Sequence, residues 1–412
     1  MGAVRTRLTR ADGQAGPGPI GAVVLAAGKS SRMGASKPLL PVGHVPALER
    51  LIGALTRAGV GDIVVVSGHD SGKIAPLIDR LAVRAAHNAE YERGMFSSVR
   101  TGVEALRAGI EAFFVLPVDH PLVGAKVLER LIACLGPGEA GIVHPTCCGL
   151  RGHPPLISSR YRDPLLAAGD DADLGGLLRR HAHDAAEVEV EDATILMDMD
   201  TREDYERVVR FAALLDGVAA SDGVAAPDGT TVPPALSDED VLYLLGLLAV
   251  PEKVVRHCRT VAMVGTALAE ALTPRVPRLD AALVRSACLL HDLVRTKPKH
   301  AAVAQRLLEN LGLCRLGEVV GAHMVMPAGL LESPAITEEE LVYLADKLVV
   351  EDEIAGLEAR TARAESRSGS DPAAKEWIDR RIRTAGTIRE RVESVLGRPL
   401  DEVLPRQTRA SI

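Results

Sequence analysis

The chain has 412 residues, a formal net charge of -7 and an aromatic content of 2%. This length exceeds one ordinary hydrophobic core, so we expect at least two domains. The acidic balance and the scarcity of aromatic rings argue against a dedicated nucleic-acid binder. No apolar run spans a bilayer and no secretory signal is recognised, so neither a membrane nor nucleic acid is an expected partner. Scattered cysteines without paired spacing favour a cytoplasmic setting.

The first half of the chain alternates strand-like and helix-like segments. GAVVLAA, DIVVVSG and AFFVLPVD are short and apolar, whereas PALERLIGALTRAG and AKVLERLIACLG have helical spacing of apolar residues. This alternation predicts a mostly parallel α/β sheet with helices on both faces, a Rossmann-like architecture. In such sheets the ligand crevice lies beyond the carboxyl ends of the strands.

The second half lacks the strand pattern and predicts an all-α bundle, in which TEEELVYLADKLVVEDEIAGLEAR has helical period. Between the halves lies DGVAASDGVAAPDGTTVPPALS, which is rich in Gly, Pro and Ala and is typical of a flexible linker. The predicted organisation is a disordered tail (1–18), an α/β domain (19–215), a linker (216–236), a helical domain (237–400) and a tail (401–412).

A glycine-rich basic loop, LAAGKSSRMGASKPLLP at residues 25–41, follows the first predicted strand. Gly28 and Gly34 permit a backbone that points N–H groups inward, and Lys29, Arg32 and Lys37 add positive charge. Such a loop can bind the phosphates of a nucleotide, although a solvated basic loop would have a similar composition.

The full string closely resembles the signature of the nucleotidyltransferases that mature the molybdenum cofactor, and the resemblance spans residues 21–215. It implies transfer from an NTP to a phosphorylated acceptor, with Mg²⁺ as cofactor. It also implies that Arg32 and Lys37 are catalytic and stabilise the departing pyrophosphate. Together with NAEYERGMFSS, it implies the nucleotide-binding residues Leu25, Ala26, Ala27, Gly28, Arg32, Lys37, Asn88 and Ser98.

Three further motifs extend this resemblance. FFVLPVDHPLV places Asp119 where the family has a catalytic Mg²⁺ ligand before a proline, with His120 replacing the usual Met or Gln. MDMDTRED supplies Asp198 and Asp200, which would share one face of a strand, and one of them, with Asp198 preferred, would complete the Mg²⁺ site. GLRGHPPLIS carries the implied acceptor-binding residues Gly152, His153 and Pro154.

The donor and the acceptor are predicted from finer features. Ala27 belongs to Leu-Ala-Ala-Gly, as in the cytidylyl-transferring members that this chain resembles, and a methyl group against the base would favour CTP. The molybdopterin cofactor is the favoured acceptor, which makes a molybdoenzyme or its insertion chaperone a candidate partner. A sugar-phosphate nucleotidylyltransferase, with a related sheet and loop, is the alternative.

The helical half contains four histidines together with the strings ACLLHDLV and YLADKL. Imidazoles and carboxylates are good ligands for transition metals. Their order resembles the HD-domain metal-dependent phosphohydrolases over residues 237–357. The resemblance implies one or two ions such as Mn²⁺, Fe²⁺ or Co²⁺, with Asp292 as the catalytic bridge. The implied ligands are His257, His291, Asp292, His300, His323 and Asp346.

The cations that follow the His-Asp pair have two interpretations. Arg295, Lys297 and Lys299 are close enough in sequence to receive a phosphate, or they form a solvated helix start. The helical half as a whole also has an alternative, a sensing or docking module that binds metal without turnover. The sequence therefore predicts a bifunctional enzyme and leaves the substrate of its second half open.

Overall fold

The computed structural model describes residues 18–29, 33–135, 140–169, 171–217, 224–225, 231–232, 236–327, 329–368 and 372–405. The chain forms two compact units, Met1–Ala235 and Leu236–Ile412, called the N-terminal and C-terminal units below. Nearly all of the predicted N-terminal tail, most of the predicted linker and the last residues of the chain lie outside the described residues. The domain boundaries drawn from the sequence therefore stay predictions.

Apolar segments of the N-terminal unit form strands, as the alternating pattern predicts. The strands are β1 (Ile20–Ala26), β2 (Pro41–Val42), β3 (Val45–Pro46), β4 (Asp62–Ser67), β5 (Arg84–His87), β6 (Ala112–Pro117), β7 (Ile142–Cys147), β8 (Leu150–Arg151), β9 (Leu156–Ser158), β10 (Ala185–Glu189), β11 (Val224–Ala225) and β12 (Thr231–Val232). The α-helices are α1 (Ala47–Arg57), α2 (Ser71–Arg80), α3 (Met95–Ala105), α4 (Ala125–Ile132), α5 (Arg162–Ala167), α6 (Leu174–Arg180) and α7 (Arg202–Leu215).

One mostly parallel sheet organises this unit, in the order β10-β7-β9-β6-β1-β4-β5, with β8 paired to β7. β1 runs parallel to β4 and β6, β4 to β5, and β10 to β7. β9 runs antiparallel between β6 and β7. The predicted mostly parallel α/β fold is confirmed. The sequence pattern missed β9, which is too short to show a period, and β10, which is only half-buried.

Close packing of α3 on the sheet fixes the position of the candidate site. β1 and β6 consist entirely of buried residues, which is why both appear in the sequence as continuous apolar runs. α3 meets the sheet at Gly102, where an added Cβ would lie 2.2 Å from a Val23 methyl and 2.8 Å from a Val66 methyl. Only glycine allows this approach, which also places Ser98, one helical turn earlier, against the sheet.

The C-terminal unit is helical, as predicted, and two of its helices begin with capping boxes at Ser237 and Thr337. Within the described ranges, no helix is both long and apolar enough to cross a bilayer. The helices are α8 (Asp238–Leu247), α9 (Glu252–Leu272), α10 (Ala281–Leu290), α11 (His300–Asn310), α12 (Cys314–Gly321), α13 (Glu338–Leu348), α14 (Gly356–Ser368) and α15 (Pro372–Leu396).

The helical period over TEEELVYLADKLVVEDEIAGLEAR does not form one helix. α13 ends at Leu348, and a short hairpin of β13 (Val349–Val350) and β14 (Glu353–Ile354) separates it from α14. Glu351 adopts a positive φ of 58° at the turn of this hairpin. Its carbonyl oxygen accepts a hydrogen bond from His257 Nδ1, so a tertiary contact outweighs the local helical preference.

We expect Gly102→Ala to destabilise the N-terminal unit by about 1–3 kcal/mol, because the added methyl overlaps buried valine side chains. Gly72→Ala in α2 is the matched control, since no atom lies within 4 Å of its added Cβ. Urea unfolding followed by far-UV circular dichroism measures the change, and the emission of Trp377, the only tryptophan, marks the C-terminal unit. Equal stability of the two variants would contradict the packing argument.

Candidate functional sites

The predicted nucleotide loop begins at the carboxyl end of β1. The side chains of Leu25, Ala26 and Ala27 are buried, whereas Gly28 is exposed. A nucleotide at this edge would therefore meet backbone groups rather than the three apolar side chains. Arg32, the second predicted catalytic cation, lies outside the described residues.

Lys37 and a cluster of carboxylates meet at the same edge of the sheet. Lys37 starts a short 3-10 helix, and its Nζ lies 2.6 Å from Asp200 Oδ1 and 3.4 Å from Asp119 Oδ2. Asp119 Oδ1 is buried and has no hydrogen-bond partner. Burial raises the pKa of Asp198, and the neighbouring Asp200 and Asp119 carboxylates raise it further. This excess of negative charge and the orphaned oxygen fit a hard cation such as Mg²⁺.

Asp198 and Asp200 reach this cluster from a segment that is not the predicted strand. The segment follows a 3-10 helix, Ala193–Leu196, and residues 197–200 have no strand pairing. The N–H of Met199 instead donates to the Asp119 carbonyl oxygen at 3.0 Å. Burial still alternates, with Met197 and Met199 inside and both aspartates half-exposed, so the expected side-chain alternation survives without a strand.

The predicted acceptor loop lies beside the same carboxylates. A Cβ on Gly152 would lie 2.4 Å from the Ile195 carbonyl oxygen, and the His153 N–H donates to that oxygen at 2.8 Å. The His153 ring stacks on His120, with the ring centroids 4.3 Å apart, and His120 Nε2 is 3.9 Å from Asp119 Oδ1. The next residue of the predicted acceptor motif, Pro154, is buried.

The stacked imidazoles are neutral at neutral pH. Burial, reinforced by His120, lowers the pKa of His153 to about 4. Burial also lowers the pKa of His120, whose Nδ1 is buried without a hydrogen-bond partner. The sequence showed only that His120 departs from the family motif, because its partner lies on a different loop of the sheet.

Asn88 and Ser98, predicted to bind the nucleotide, form a buried network. Asn88 Nδ2 donates to Ser97 Oγ at 2.8 Å and to Ser98 Oγ at 2.9 Å, and Asn88 Oδ1 accepts from the Glu90 N–H at 2.9 Å. These contacts hold the turn that leads into α3. Direct contact of either residue with a nucleotide stays a prediction.

The C-terminal unit brings all six predicted HD ligands together, from α9, α13 and the ends of α10, α11 and α12. They form two groups of three, and the ligand atoms within each group lie within 4.8 Å of one another. The groups are His257, His291 and Asp346, and Asp292, His300 and His323.

Asp292 lies between the two groups. Its Oδ2 is 3.4 Å from His291 Nε2 and 3.9 Å from His257 Nε2. Its Oδ1 is 3.5 Å from His300 Nε2 and 3.9 Å from His323 Nε2. Each carboxylate oxygen therefore faces a different pair of histidines, which is the arrangement that a bridging ligand requires.

Backbone carbonyls orient three of the imidazoles. His291 Nδ1 lies 2.8 Å from the Cys288 carbonyl oxygen and His323 Nδ1 lies 2.7 Å from that of Val320, while His257 uses the hairpin carbonyl described above. A histidine held through Nδ1 presents the lone pair of Nε2 to a metal. His291 Nε2 is buried and has no hydrogen-bond partner, so the group fits a bound cation.

The electrostatics of the cluster support the same conclusion. Burial disfavours the charged form of His291, but the Asp292 carboxylate and Cys258 together outweigh burial and raise the pKa of His291 well above its ordinary value. The negative charge that attracts a proton to His291 is the charge that a divalent cation would neutralise. Imidazole nitrogens with carboxylate oxygens suit Mn²⁺, Fe²⁺ or Co²⁺.

Three cations around Asp346 were not recognised in the sequence. Lys347 Nζ lies 2.6 Å from Asp346 Oδ2 and donates to the His323 carbonyl oxygen at 2.6 Å. Arg360 of α14 and Arg381 of α15 lie 3.5 Å and 3.9 Å from the Asp346 carboxylate. Burial lowers the pKa of Lys347 to about 7, although Asp346 opposes this change. No local motif marks these residues, because helix packing alone brings them to Asp346.

Of the cations after the His-Asp pair, Arg295 contacts the site. Its guanidinium donates to Asp292 Oδ2, and its side chain is 45% exposed. A half-exposed cation hydrogen-bonded to the central carboxylate is placed to meet an incoming anion.

Comparison with known families finds one matching domain in each unit. Residues 22–186 match the MobA-like NTP transferase domain, and residues 254–350 match the HD domain. The chain thus contains a MobA-like NTP transferase domain followed by an HD domain, and both resemblances seen in the motifs are confirmed.

Individual relatives cover parts of the chain. It is 37% identical over 129 residues to the bifunctional IPC transferase and DIPP synthase of Rubrobacter xylanophilus. This alignment covers 30% of this chain and 29% of the Rubrobacter protein. It is 26% identical over 187 residues to the molybdenum cofactor cytidylyltransferase of Escherichia coli. This alignment covers 45% of this chain and 93% of the Escherichia coli protein. The crystal structure of Rv0371c from Mycobacterium tuberculosis aligns with a TM-score of 0.41 and 25% identity. This alignment covers 46% of this chain and 98% of the Rv0371c chain.

We expect Asp292→Asn to lower the affinity of the C-terminal unit for Mn²⁺ or Co²⁺ by more than about tenfold, because it removes a charge that both ligand groups share. Asp352→Asn is the matched control, since Asp352 is half-exposed and pairs with Arg256 Nε at 3.2 Å. Metal content is measured by mass spectrometry after loading and desalting. Equal metal content in the two variants would exclude Asp292 as a ligand.

Proposed function

We propose that the N-terminal unit transfers a nucleotidyl group from an NTP, preferably CTP, to a phosphorylated acceptor, the molybdopterin cofactor. The observation that carries this proposal is the contact of Lys37, which belongs to the nucleotide loop, with Asp119 and Asp200. The coverage of 93% of a molybdenum cofactor cytidylyltransferase supports the choice of donor and acceptor. A molybdoenzyme or its insertion chaperone would receive the product.

In this proposal the chain orients the reactants and neutralises charge. Asp119, with Asp198 or Asp200, would hold Mg²⁺, which when bound neutralises triphosphate oxygens. Lys37 would exchange its carboxylate partners for phosphate oxygens, and the exposed backbone at Gly28 would donate N–H groups. An acceptor phosphate is already ionised, so no residue has to act as a strong base.

The stacked histidines belong to the acceptor side of this proposal. His153, in the loop whose motif resembles the acceptor segment of the family, stacks on His120, and the two rings form a neutral, planar surface next to Asp119. A neutral surface can approach a phosphorylated acceptor without adding to the cation charge at the triphosphate. With neutral residues at the acceptor, the cations would act at the leaving group, where negative charge develops.

We also propose that the C-terminal unit is a metal-dependent phosphohydrolase. The supporting observation is the position of Asp292 between two groups of histidines. One or two transition-metal ions held there would activate water and polarise a phosphoryl group. Asp292 would set the spacing of the two groups, the backbone carbonyls would hold the imidazoles, and Arg295 would attract the substrate phosphate.

A sensing module that binds metal without turnover is the second candidate for this unit. The Asp292→Asn variant distinguishes the two when phosphate release from a panel of phosphate esters is measured. Hydrolysis by the wild-type chain that is lost in the variant, with nucleotidyl transfer retained, supports the enzyme. Metal binding without any phosphate release supports the sensor.

We expect Lys37→Ala to lower the kcat of nucleotidyl transfer roughly a few hundredfold, which corresponds to about 3–4 kcal/mol of transition-state stabilisation. The physical reason is the loss of a cation at the oxygens of the departing pyrophosphate. Pyrophosphate release measures the rate, and Arg57→Ala at the exposed end of α1 is the control for lost surface charge. Near-normal transfer by folded Lys37→Ala would rule out this role.

We expect CTP to be used about tenfold faster than GTP, the low end of what one methyl group discriminates. Ala27 is buried, so it would influence the base through its neighbour Gly68 and not by direct contact. A Cβ added to Gly68 would lie 2.9 Å from the Ala27 Cβ. A pyrophosphate-release screen of the four NTPs with molybdopterin as acceptor measures the preference. Ala27→Gly should reduce the preference for CTP over GTP. Faster turnover with GTP than with CTP by the wild-type chain would refute the prediction.

A further inference from the structure

A tryptophan and an arginine on α15 lie next to the ligand cluster of the HD domain. The Arg381 guanidinium lies over the Trp377 ring, 4.4 Å from its centroid, and Arg381 Nη2 is 3.9 Å from Asp346 Oδ2. Arg381 therefore links a candidate metal ligand to an aromatic ring. Both residues lie beyond residue 350, where the match to the HD domain ends.

Arg381 has unused hydrogen-bonding capacity in a buried position. Its side chain is only 17% exposed, and Nη2 lies 3.4 Å from Met324 Sδ, a weak acceptor. Its Nε is buried and has no hydrogen-bond partner. A buried donor without an acceptor is unfavourable, and an anion oxygen bound at this guanidinium would satisfy it.

Two exposed apolar side chains belong to the segments that contact this donor. Trp377 is 41% exposed, and Val325, the neighbour of Met324 in the chain, is 68% exposed. Both belong to the few large apolar side chains that are exposed among the described residues. The stacked pair therefore offers the exposed part of the indole for a ring and the guanidinium that lies over it for a phosphate.

We propose that Trp377 and Arg381 form the substrate-recognition subsite of the HD domain, and that its substrate is a phosphate ester with a planar heteroaromatic ring. The ring would stack on Trp377, and the phosphate would bind Arg381 close to Asp346. This inference rests on the proposed phosphohydrolase function. A nucleotide and a phosphorylated pterin share the required chemistry.

A purely structural role makes a different prediction. If Arg381 only neutralised Asp346 and Trp377 only packed on α15, binding would depend on the phosphate and not on the ring. Sugar phosphates and nucleotides would then bind equally well. The dependence of affinity on the ring is therefore the quantity to measure.

Trp377 reports the subsite directly, because the full chain contains no other tryptophan. Its emission is followed while the full-length protein is titrated with AMP, neopterin monophosphate, ribose phosphate or adenosine, in the presence of a constant concentration of Mn²⁺. We expect a ring-bearing phosphate to quench the emission and to bind at least about tenfold (1.4 kcal/mol) more tightly than ribose phosphate, which cannot stack, and than adenosine, which has no phosphate for Arg381. The tighter of AMP and neopterin monophosphate identifies the source of the ring.

Variants of two neighbouring arginines provide the control. Arg381→Gln should lower the affinity for AMP to the level measured for adenosine. If the Arg381→Gln variant does not fold, Arg381→Lys, which keeps the positive charge, is measured in its place. Arg380→Gln should bind AMP normally, since Arg380 is 69% exposed and pairs with Glu376. A Lys37→Ala background shows that the transferase site does not cause the quenching.

Two results would overturn the subsite: equal affinity for AMP and ribose phosphate, or equal affinity of the Arg381→Gln and Arg380→Gln variants for AMP. Its failure is separable from that of the phosphohydrolase. Phosphate release without ring dependence would keep the hydrolase and remove the subsite. Ring-dependent quenching without phosphate release would keep the subsite and remove the hydrolase.

Discussion

Repulsion between clustered carboxylates is the constraint on which the candidate site of each unit depends. Isolated negative charges in a protein interior are strongly unfavourable, so each cluster needs cations, either from side chains or from bound metal. Lys37 partly fulfils this need at Asp119 and Asp200, and Lys347 does so at Asp346. In both clusters an orphaned buried atom remains, which indicates that side-chain cations alone do not complete the site.

The two units meet this constraint with different architectures. The N-terminal unit uses loops at one edge of a parallel sheet, where strand ends place Asp119 and the acceptor loop side by side. The C-terminal unit uses the ends of helices, and backbone carbonyls aim the imidazoles at Asp292. The loop site has exposed backbone and two half-exposed carboxylates, Asp198 and Asp200, whereas the helical site is nearly closed. Openness suits two exchanging substrates, and enclosure suits firmly held ions.

The C-terminal helices add a layer to the second site. Arg360 and Arg381 approach Asp346 from α14 and α15, outside the region that matches the HD domain. The candidate ligand cluster thus lies within the region that matches the HD domain, whereas these two cations come from helices beyond it. Such added elements are where specificity can differ while the metal ligands stay the same.

The sequence by itself predicted the mostly parallel sheet, the helical second half and the six candidate HD ligands that the structure brings together, because hydrophobic period and short motifs are local properties. It failed where distant segments decide the outcome. The hairpin after α13 replaces a helix because Glu351 contacts His257, and residues 197–200 bond to the Asp119 loop instead of forming a strand. The pairing of His120 with His153, and of Arg381 with Asp346, depends on packing between elements far apart in the chain. No local pattern records such contacts, so only the tertiary structure revealed them.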